Sequence, residues 1–176
     1  MKFVETDLKG AYIIDIDEIS DARGFFARAW CQREFESYGL TSKIAQTNIS
    51  FNHRKGTLRG LHYQVVPHEE TKLVRCTKGS IFDVMVDLRV ESCTYGKWLG
   101  VELNEDNHRM LLVPEGFAHG FQTLQDNTEV FYQVSEFFNP DAELGARYDD
   151  AKFGIIWPLE VSVISEKDAN WPFYNI

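Results

Sequence analysis

The sequence predicts an all-β sandwich or barrel, and three observations carry that prediction. Between residues 44 and 137, extended β-branched and aromatic segments succeed one another at intervals of roughly ten residues, with glycine, proline, asparagine or aspartate between most of them. A helical period is confined in the first two thirds to residues 32–38, where Phe35 and Tyr38 stand three apart and Gly39 follows as a stop. The links between strands are short turns, such as Lys78-Gly79-Ser80 and residues 104–107, and not the long crossovers that parallel βαβ units require.

Taken in order, residues 10–16 read as the first strand, Asp21-Ala22-Arg23-Gly24 as a turn, and residues 25–30 as a return to extended, aromatic chain. After the helix, strands are expected over 44–51, 57–65, 71–78, 80–89, 98–103, 109–113, 116–123 and 128–137. The run 81–88 alternates only in part, so both of its faces are expected to be covered. Residues 139–143 read as a loop, 153–157 as a short apolar strand closed by Pro158, and Ser165-Glu166-Lys167-Asp168 as the capped start of a short helix. A carboxylate in that last position often serves the cap alone. There is no linker, low-complexity tract or internal repeat, and residues 1–176 read as one domain.

The chain has 176 residues, 44% of them hydrophobic and 14% aromatic, enough for a sizeable core. Its net charge of -9 and isoelectric point near 5.0 lack the extended basic surface that nucleic acid or an anionic membrane demands, so neither is an expected partner. No run approaches the roughly twenty apolar residues of a spanning helix, and the first residues lack the apolar core of a signal peptide. Cys31, Cys76 and Cys93 are odd in number and without CxxC spacing, which reads as reduced thiols in the cytoplasm.

Chemistry concentrates between Gly56 and Lys72. Arg59, His62, Gln64 and Lys72 fall among Leu58, Leu61, Tyr63, Val65, Leu73 and Val74, the residues of buried strands. Alternation puts Lys72 and Val74 on one face and Leu73 and Arg75 on the other, while Gly56 and Gly60 permit bends. Two fixed cations and a titratable imidazole in so short a span suit an anionic ligand and proton transfer better than they suit packing. A second cluster, Pro114-Glu115-Gly116-Phe117-Ala118-His119, matches the second half of the cupin pattern, in which a turn delivers a histidine into a jelly-roll barrel. The first half is broken: Gly56, His62 and Glu69 fit, but Gln64 stands where a second histidine belongs. That leaves at most His62, Glu69 and His119 as ligands, so no metal is expected.

Over nearly its whole length the chain resembles the dTDP-4-dehydrorhamnose 3,5-epimerase family. The resemblance runs through residues 21–26, 46–50, 56–64 (Gly-Thr-Leu-Arg-Gly-Leu-His-Tyr-Gln), Lys72-Leu73-Val74, Gly79, 83–89, Ser92, 114–121, Tyr132, Trp157-Pro158 and 165–168. It implies a cupin-like double-stranded β-helix, or jelly roll, with a few short helices. It also implies a homodimer that exchanges its N-terminal strands (about residues 1–30), and no cofactor. The implied activity is inversion of C3 and/or C5 of a nucleotide-linked 4-keto-6-deoxyhexose, in deoxysugar biosynthesis of the kind that supplies lipopolysaccharide O-antigen. By the same resemblance His62 is the base, Asp168 its orienting carboxylate, Tyr132 the acid on the opposite face and Lys72 the cation at the enolate oxygen. Arg59 and His119 are placed at the diphosphate, and Arg23, Phe26, Arg28, Gln46, Asn48 and Phe138 around nucleotide and sugar. Two positions depart from the family: Arg28 replaces a glutamate, and Phe137-Phe138 a pair that contains tyrosine. A guanidinium offers only donors, which suits the acceptors of cytosine rather than the N3–H of thymine, so either dTDP or CDP is an expected carrier. The alternatives are a 3,4-ketoisomerase of a similar substrate and a non-catalytic metal- or sugar-binding cupin.

Overall fold

The computed structural model describes residues 1–174. In chain order its elements are β1 (Lys2–Glu5), β2 (Tyr12–Asp15), β3 (Ile19–Asp21), β4 (Gly24–Phe26), α1 (Gln32–Ser37), β5 (Gln46–Asn52), β6 (Leu58–Gln64) and β7 (Lys72–Lys78). There follow β8 (Ser80–Asp87), β9 (Trp98–Asn104), β10 (Met110–Val113), β11 (Phe117–Thr123), β12 (Thr128–Val134), β13 (Glu143–Gly145) and α2 (Glu166–Ala169). A six-stranded sheet, β1-β2-β10-β7-β12-β5, faces a five-stranded sheet, β13-β6-β11-β8-β9, and all of their pairings are antiparallel. From β5 to β8, and again from β9 to β12, each strand crosses to the sheet opposite its predecessor. That alternation is the cupin-like jelly roll.

The inward faces meet in a core of Val74, Cys76, Met85, Leu103, Leu111, Val113 and Val130, all but excluded from solvent. β8 is buried along nearly all its length because Leu61, Ala118, Phe153 and Trp157 gather around Val84 and Val86 on its outer side, which is the two-sided burial its sequence implied. On the outer face of the other sheet, Phe35 of α1 packs on Ile14, Leu73, Met110 and Leu112. Gly79 turns the chain between β7 and β8 at φ +76°, where a Cβ would also lie 2.5 Å from the Thr128 hydroxyl. Gly60, at φ +112°, lets β6 press on β11: a Cβ there would stand 2.6 Å from the Cα of Gly120. Through that contact His62 and His119 become direct cross-strand partners.

The sequence reading needs four corrections. β1 went unrecognised because its residues alternate too briefly to stand out, and it forms by pairing with β2. The extended aromatic chain expected over 25–30 is a strand only as far as Phe26. Residues 153–157 make turns and irregular chain instead of a strand, and their apolar side chains serve as a cover for the five-stranded sheet. Conversely, the chain from Glu143 forms the edge strand β13 against β6.

Candidate active site

Between the sheets lie two joined lobes of about 340 and 330 Å³ that share His62, Lys72 and Tyr132. The first lobe also takes in Arg59, His119 and Asp168, the second Gln46, Asn48, Glu70 and Phe138. His62, His119 and Arg59 come from β6 and β11 of one sheet, while Lys72 and Tyr132 come from β7 and β12 of the other. Tyr132 is the cross-strand partner of Val74, so it shares the inward face that alternation assigns to Lys72. The imidazole of His62 and the phenol of Tyr132 therefore enter the cavity from opposite walls.

Asp168 orients the imidazole. Its Oδ1 lies 2.6 Å from His62 Nε2, and its Oδ2 accepts the Gly60 backbone N–H at 3.2 Å. Ser165 caps α2 by accepting the Asp168 backbone N–H at 3.0 Å, so the cap uses the main chain and leaves the carboxylate to the histidine. Burial is the largest influence on the Asp168 carboxyl and favours the neutral acid. The hydrogen bond and charge of His62, with the donors of Gly60 and Ser165, outweigh it and hold the group below the usual carboxylate range. An ionised carboxylate only accepts, so Nε2 is the donor in this contact and Nδ1 is the ring nitrogen that Asp168 leaves unengaged. Trp171 meets the His62 ring edge to face at 6.2 Å, in space left free by Gly145.

Tyr132 stands on the opposite wall. Burial pushes its phenol above the ordinary value, Glu70 adds to the displacement and Arg59 opposes it, so at neutral pH it holds a proton to give. Lys72 Nζ stands 3.1 Å from Glu70 Oε1 with both side chains nearly buried. Arg59 Nε donates to Asn52 Oδ1 at 2.7 Å, which aims the guanidinium into the first lobe. His119 Nε2 lies 2.8 Å from Oδ1 of fully buried Asp83, whose Oδ2 has no partner among the described residues.

Gln64, in the place of the second cupin histidine, is a tether. Its amide donates to the His68 and Phe137 carbonyls at 2.8 and 3.3 Å and accepts the Asn139 N–H at 2.6 Å. Gln46 accepts the Phe138 N–H at 2.6 Å, so the two amides fix the segment that carries Phe138 at the mouth of the second lobe. Among the described residues no three histidine, cysteine, aspartate or glutamate side chains gather as a metal site, and both cavity histidines already meet a carboxylate at Nε2.

The sequence-derived residues thus divide. His62, Lys72, Tyr132, Asp168, Arg59, His119, Gln46, Asn48 and Phe138 line one cavity. Arg23, Phe26 and Arg28 do not reach it within the chain: Arg23 pairs with Asp21 at 2.5 Å, Phe26 is 68% exposed, and Arg28 meets Glu34 at 3.6 Å. Asn52, Glu70, Asp83 and Trp171 were missed as site residues. Only Glu70 left a signal, as the acidic neighbour two residues from Lys72 on the same face of the chain.

A barrel that sets a histidine–carboxylate pair against a half-buried phenol, with fixed cations between them, belongs to the enzymes that move protons on anionic substrates. The chain is a member of the dTDP-4-dehydrorhamnose 3,5-epimerase family, whose sequence profile matches residues 5–175. It is 45% identical over 173 residues to the dTDP-4-dehydrorhamnose 3,5-epimerase of Methanothermobacter thermautotrophicus, covering 97% of this chain and 92% of that one. Among solved structures, the Bacillus anthracis dTDP-4-dehydrorhamnose 3,5-epimerase with TDP and PPi bound superposes with a TM-score of 0.95 at 40% identity, over 98% and 99% of the two chains. The Legionella pneumophila dTDP-6-deoxy-D-glucose-3,5-epimerase in complex with dTDP-4-keto-L-rhamnose gives 0.90 at 35% identity, over 99% of each.

Proposed function

We propose that this protein epimerises a dTDP-linked 4-keto-6-deoxyhexose at C3 and C5. One observation carries the reading: base and acid face each other from opposite sheets across a cavity that also holds Lys72. Protons on carbons beside a ketone are acidic, so His62 Nδ1 removes one from C3 or C5 and the electron pair moves into an enolate. Lys72 meets the charge that develops on the C4 oxygen. Tyr132 then gives a proton to the other face of the same carbon, which inverts it, and the phenolate and imidazolium exchange protons with solvent before the second carbon reacts. Arg59 and His119 suit the diphosphate, since a guanidinium fork matches phosphate oxygens.

The carrier follows the family, whose solved members hold TDP and dTDP-linked ligands. CDP is the second reading, favoured by Arg28: its pair with Glu34 is a long surface contact that leaves most of the guanidinium free. We place the second wall of the nucleotide site on a partner copy. The β3–β4 hairpin is exposed on every residue, and a lone hairpin with Ile19 and Phe26 in water needs a surface to cover it. A homodimer that exchanges this hairpin would bring Arg23, Phe26 and Arg28 to the neighbouring cavity. The three cysteines are unpaired, which suits a cytoplasmic protein, and among the described residues no helix is long and apolar enough to cross a membrane.

The deciding experiment incubates the protein with dTDP- and CDP-linked 4-keto-6-deoxyglucose in deuterated water and counts deuterium at C3 and C5. Incorporation at both carbons of the dTDP sugar, abolished in a folded His62→Asn protein, is the expected result. Exchange by His62→Asn at the wild-type rate would remove His62 from the mechanism, and faster turnover of the CDP sugar would change the carrier. Mixing inactive Arg23→Ala and His62→Asn proteins should restore part of the activity if hairpins are exchanged.

A further inference from the structure

Glu70 has no part in the chemistry above, yet its side chain is only 11% exposed and it stands inside the cavity that performs it. We propose that Glu70 is a positioning residue for the reaction, whose carboxylate anchors the Lys72 ammonium and, from the same place, keeps the Tyr132 phenol in its proton-bearing form. The proposal deepens the epimerase reading and rests on it.

Lysine carries its charge on a flexible four-carbon stem, and an ammonium free to swing is a poor stabiliser of an oxyanion at a fixed point. Glu70 Oε1, at 3.1 Å, is the one carboxylate within ion-pair distance of Nζ among the described residues. One of the three ammonium donors is thereby engaged and two remain for the substrate. The phenol lines the same lobe. A fixed negative charge there raises the energy of the phenolate, in the direction that the phenol is displaced, while Arg59 acts against it. The other charged or titratable groups that face Tyr132 are His62 and Lys72, which both lobes share, Asp168 and His119 in the first lobe and Glu143 in the second. His62 is bound to Asp168, His119 to Asp83, and Glu143, on the edge strand of the opposite sheet, to Lys167. The chain has therefore set a carboxylate where it disfavours loss of the proton from Tyr132 until a carbanion accepts it, and where it helps the spent phenolate regain one.

Two measurements test this in the full-length protein. The first needs no substrate: the near-ultraviolet absorbance of tyrosinate is titrated in wild type and in Glu70→Gln, with Tyr132→Phe subtracted from each to isolate the one phenol. The second follows kcat and KM for epimerisation against pH in the same proteins and in Glu70→Asp. In Glu70→Gln the Tyr132 phenolate should appear at lower pH, and the alkaline limb of kcat should move the same way. The kcat plateau should fall on the order of tenfold from loss of the Lys72 anchor, with KM held within about twofold. Glu70→Asp should recover part of both. An unmoved phenol titration together with an unmoved alkaline limb would overturn the proposal, even if activity dropped uniformly and KM rose. If wild type turns over no keto-sugar, the epimerase reading fails, and the absorbance titration still decides whether Glu70 governs Tyr132.

Discussion

Two buried aspartates, Asp87 at the end of β8 and Asp168 on α2, are used in opposite ways. Asp87, at the end of β8, is saturated by its own neighbourhood: Arg89 gives it a backbone N–H at 3.0 Å and side-chain donors at 2.8 Å, and the Ser92 and Thr94 hydroxyls each donate at 2.6 Å. All of these donors lie within seven residues along the chain. Asp168 is satisfied from across the molecule, by an imidazole 106 residues away and by the Gly60 N–H. The first arrangement has no titratable partner facing the cavity and can only hold a loop in place. The second sets a buried charge against an imidazole that lines the cavity, which is the arrangement that the proposed epimerisation uses.

The contrast is broken most forcefully by Asp168→Asn. An amide cannot hold the imidazole in its Nε2–H form as an ionised acceptor does, so deuterium incorporation should fall on the order of 10³-fold, within the range for losing an oriented base. The circular dichroism should stay that of the folded wild type. An Asp168→Asn protein that exchanges deuterium at full rate would make Asp168 a second structural aspartate, equivalent to Asp87.

Next in size is Tyr132→Phe, which separates the two walls of the cavity. The base on β6 is untouched, so deuterium should still wash into recovered substrate. Inverted product should drop on the order of 10²-fold. Loss of exchange and inversion together, with ligand still bound by calorimetry, would give Tyr132 another role.

Asp87→Asn should do the reverse of both. Its Arg89, Ser92 and Thr94 donors lose a charged acceptor in a site closed to solvent at the aspartate, a cost of about 2–3 kcal/mol in urea unfolding. The folded fraction should keep its turnover number. A stable but inactive Asp87→Asn would dissolve the distinction between the two aspartates.

The same contrast explains what the sequence could tell. The jelly roll was legible because strand period, glycine turns and short links act over a few residues, and the match of β6, β7 and β11 to one family located His62, Lys72 and His119. Missed were the features made by distant chain: β13, which becomes a strand only by pairing with β6, and the cover of the sheet by residues 153–157. Asp83 on His119 escaped for the same reason, being 36 residues away, while Asn52 is only seven residues from Arg59 but reaches it from the opposite sheet, a contact that strand alternation does not record. Arg23, Phe26 and Arg28 sit on or beside a hairpin that pairs with no other strand of its own chain and touches it through Phe25 on His108, so nothing within the chain brings them to the cavity.

The smallest expected effect concerns acid. Burial alone would push the Asp87 carboxyl up, but the donors of Arg89, Ser92 and Thr94 more than reverse it and hold it far below the usual carboxylate range. A carboxyl depressed on folding gives its full stabilisation above its unfolded pKa, about 3.9 for aspartate, and gives it up as the pH falls below that toward the folded value. Asp168 is displaced in the same direction and loses its contribution in the same window. Asp21 and Glu136 are depressed too, but they sit in exposed pairs that salt screens, so moderate salt leaves the buried groups dominant. Wild-type stability should therefore hold between about pH 7 and pH 5 and decline below about pH 4. In Asp87→Asn the deficit of about 2–3 kcal/mol should be constant over the upper range and shrink below about pH 4, where the wild type surrenders what the variant never had. Urea unfolding followed by tryptophan fluorescence at about pH 7, 5, 4 and 3 reads this directly. A deficit of the same size at every pH would mean that Asp87 stabilises the loop by its shape and hydrogen-bonding capacity, with its charge contributing nothing.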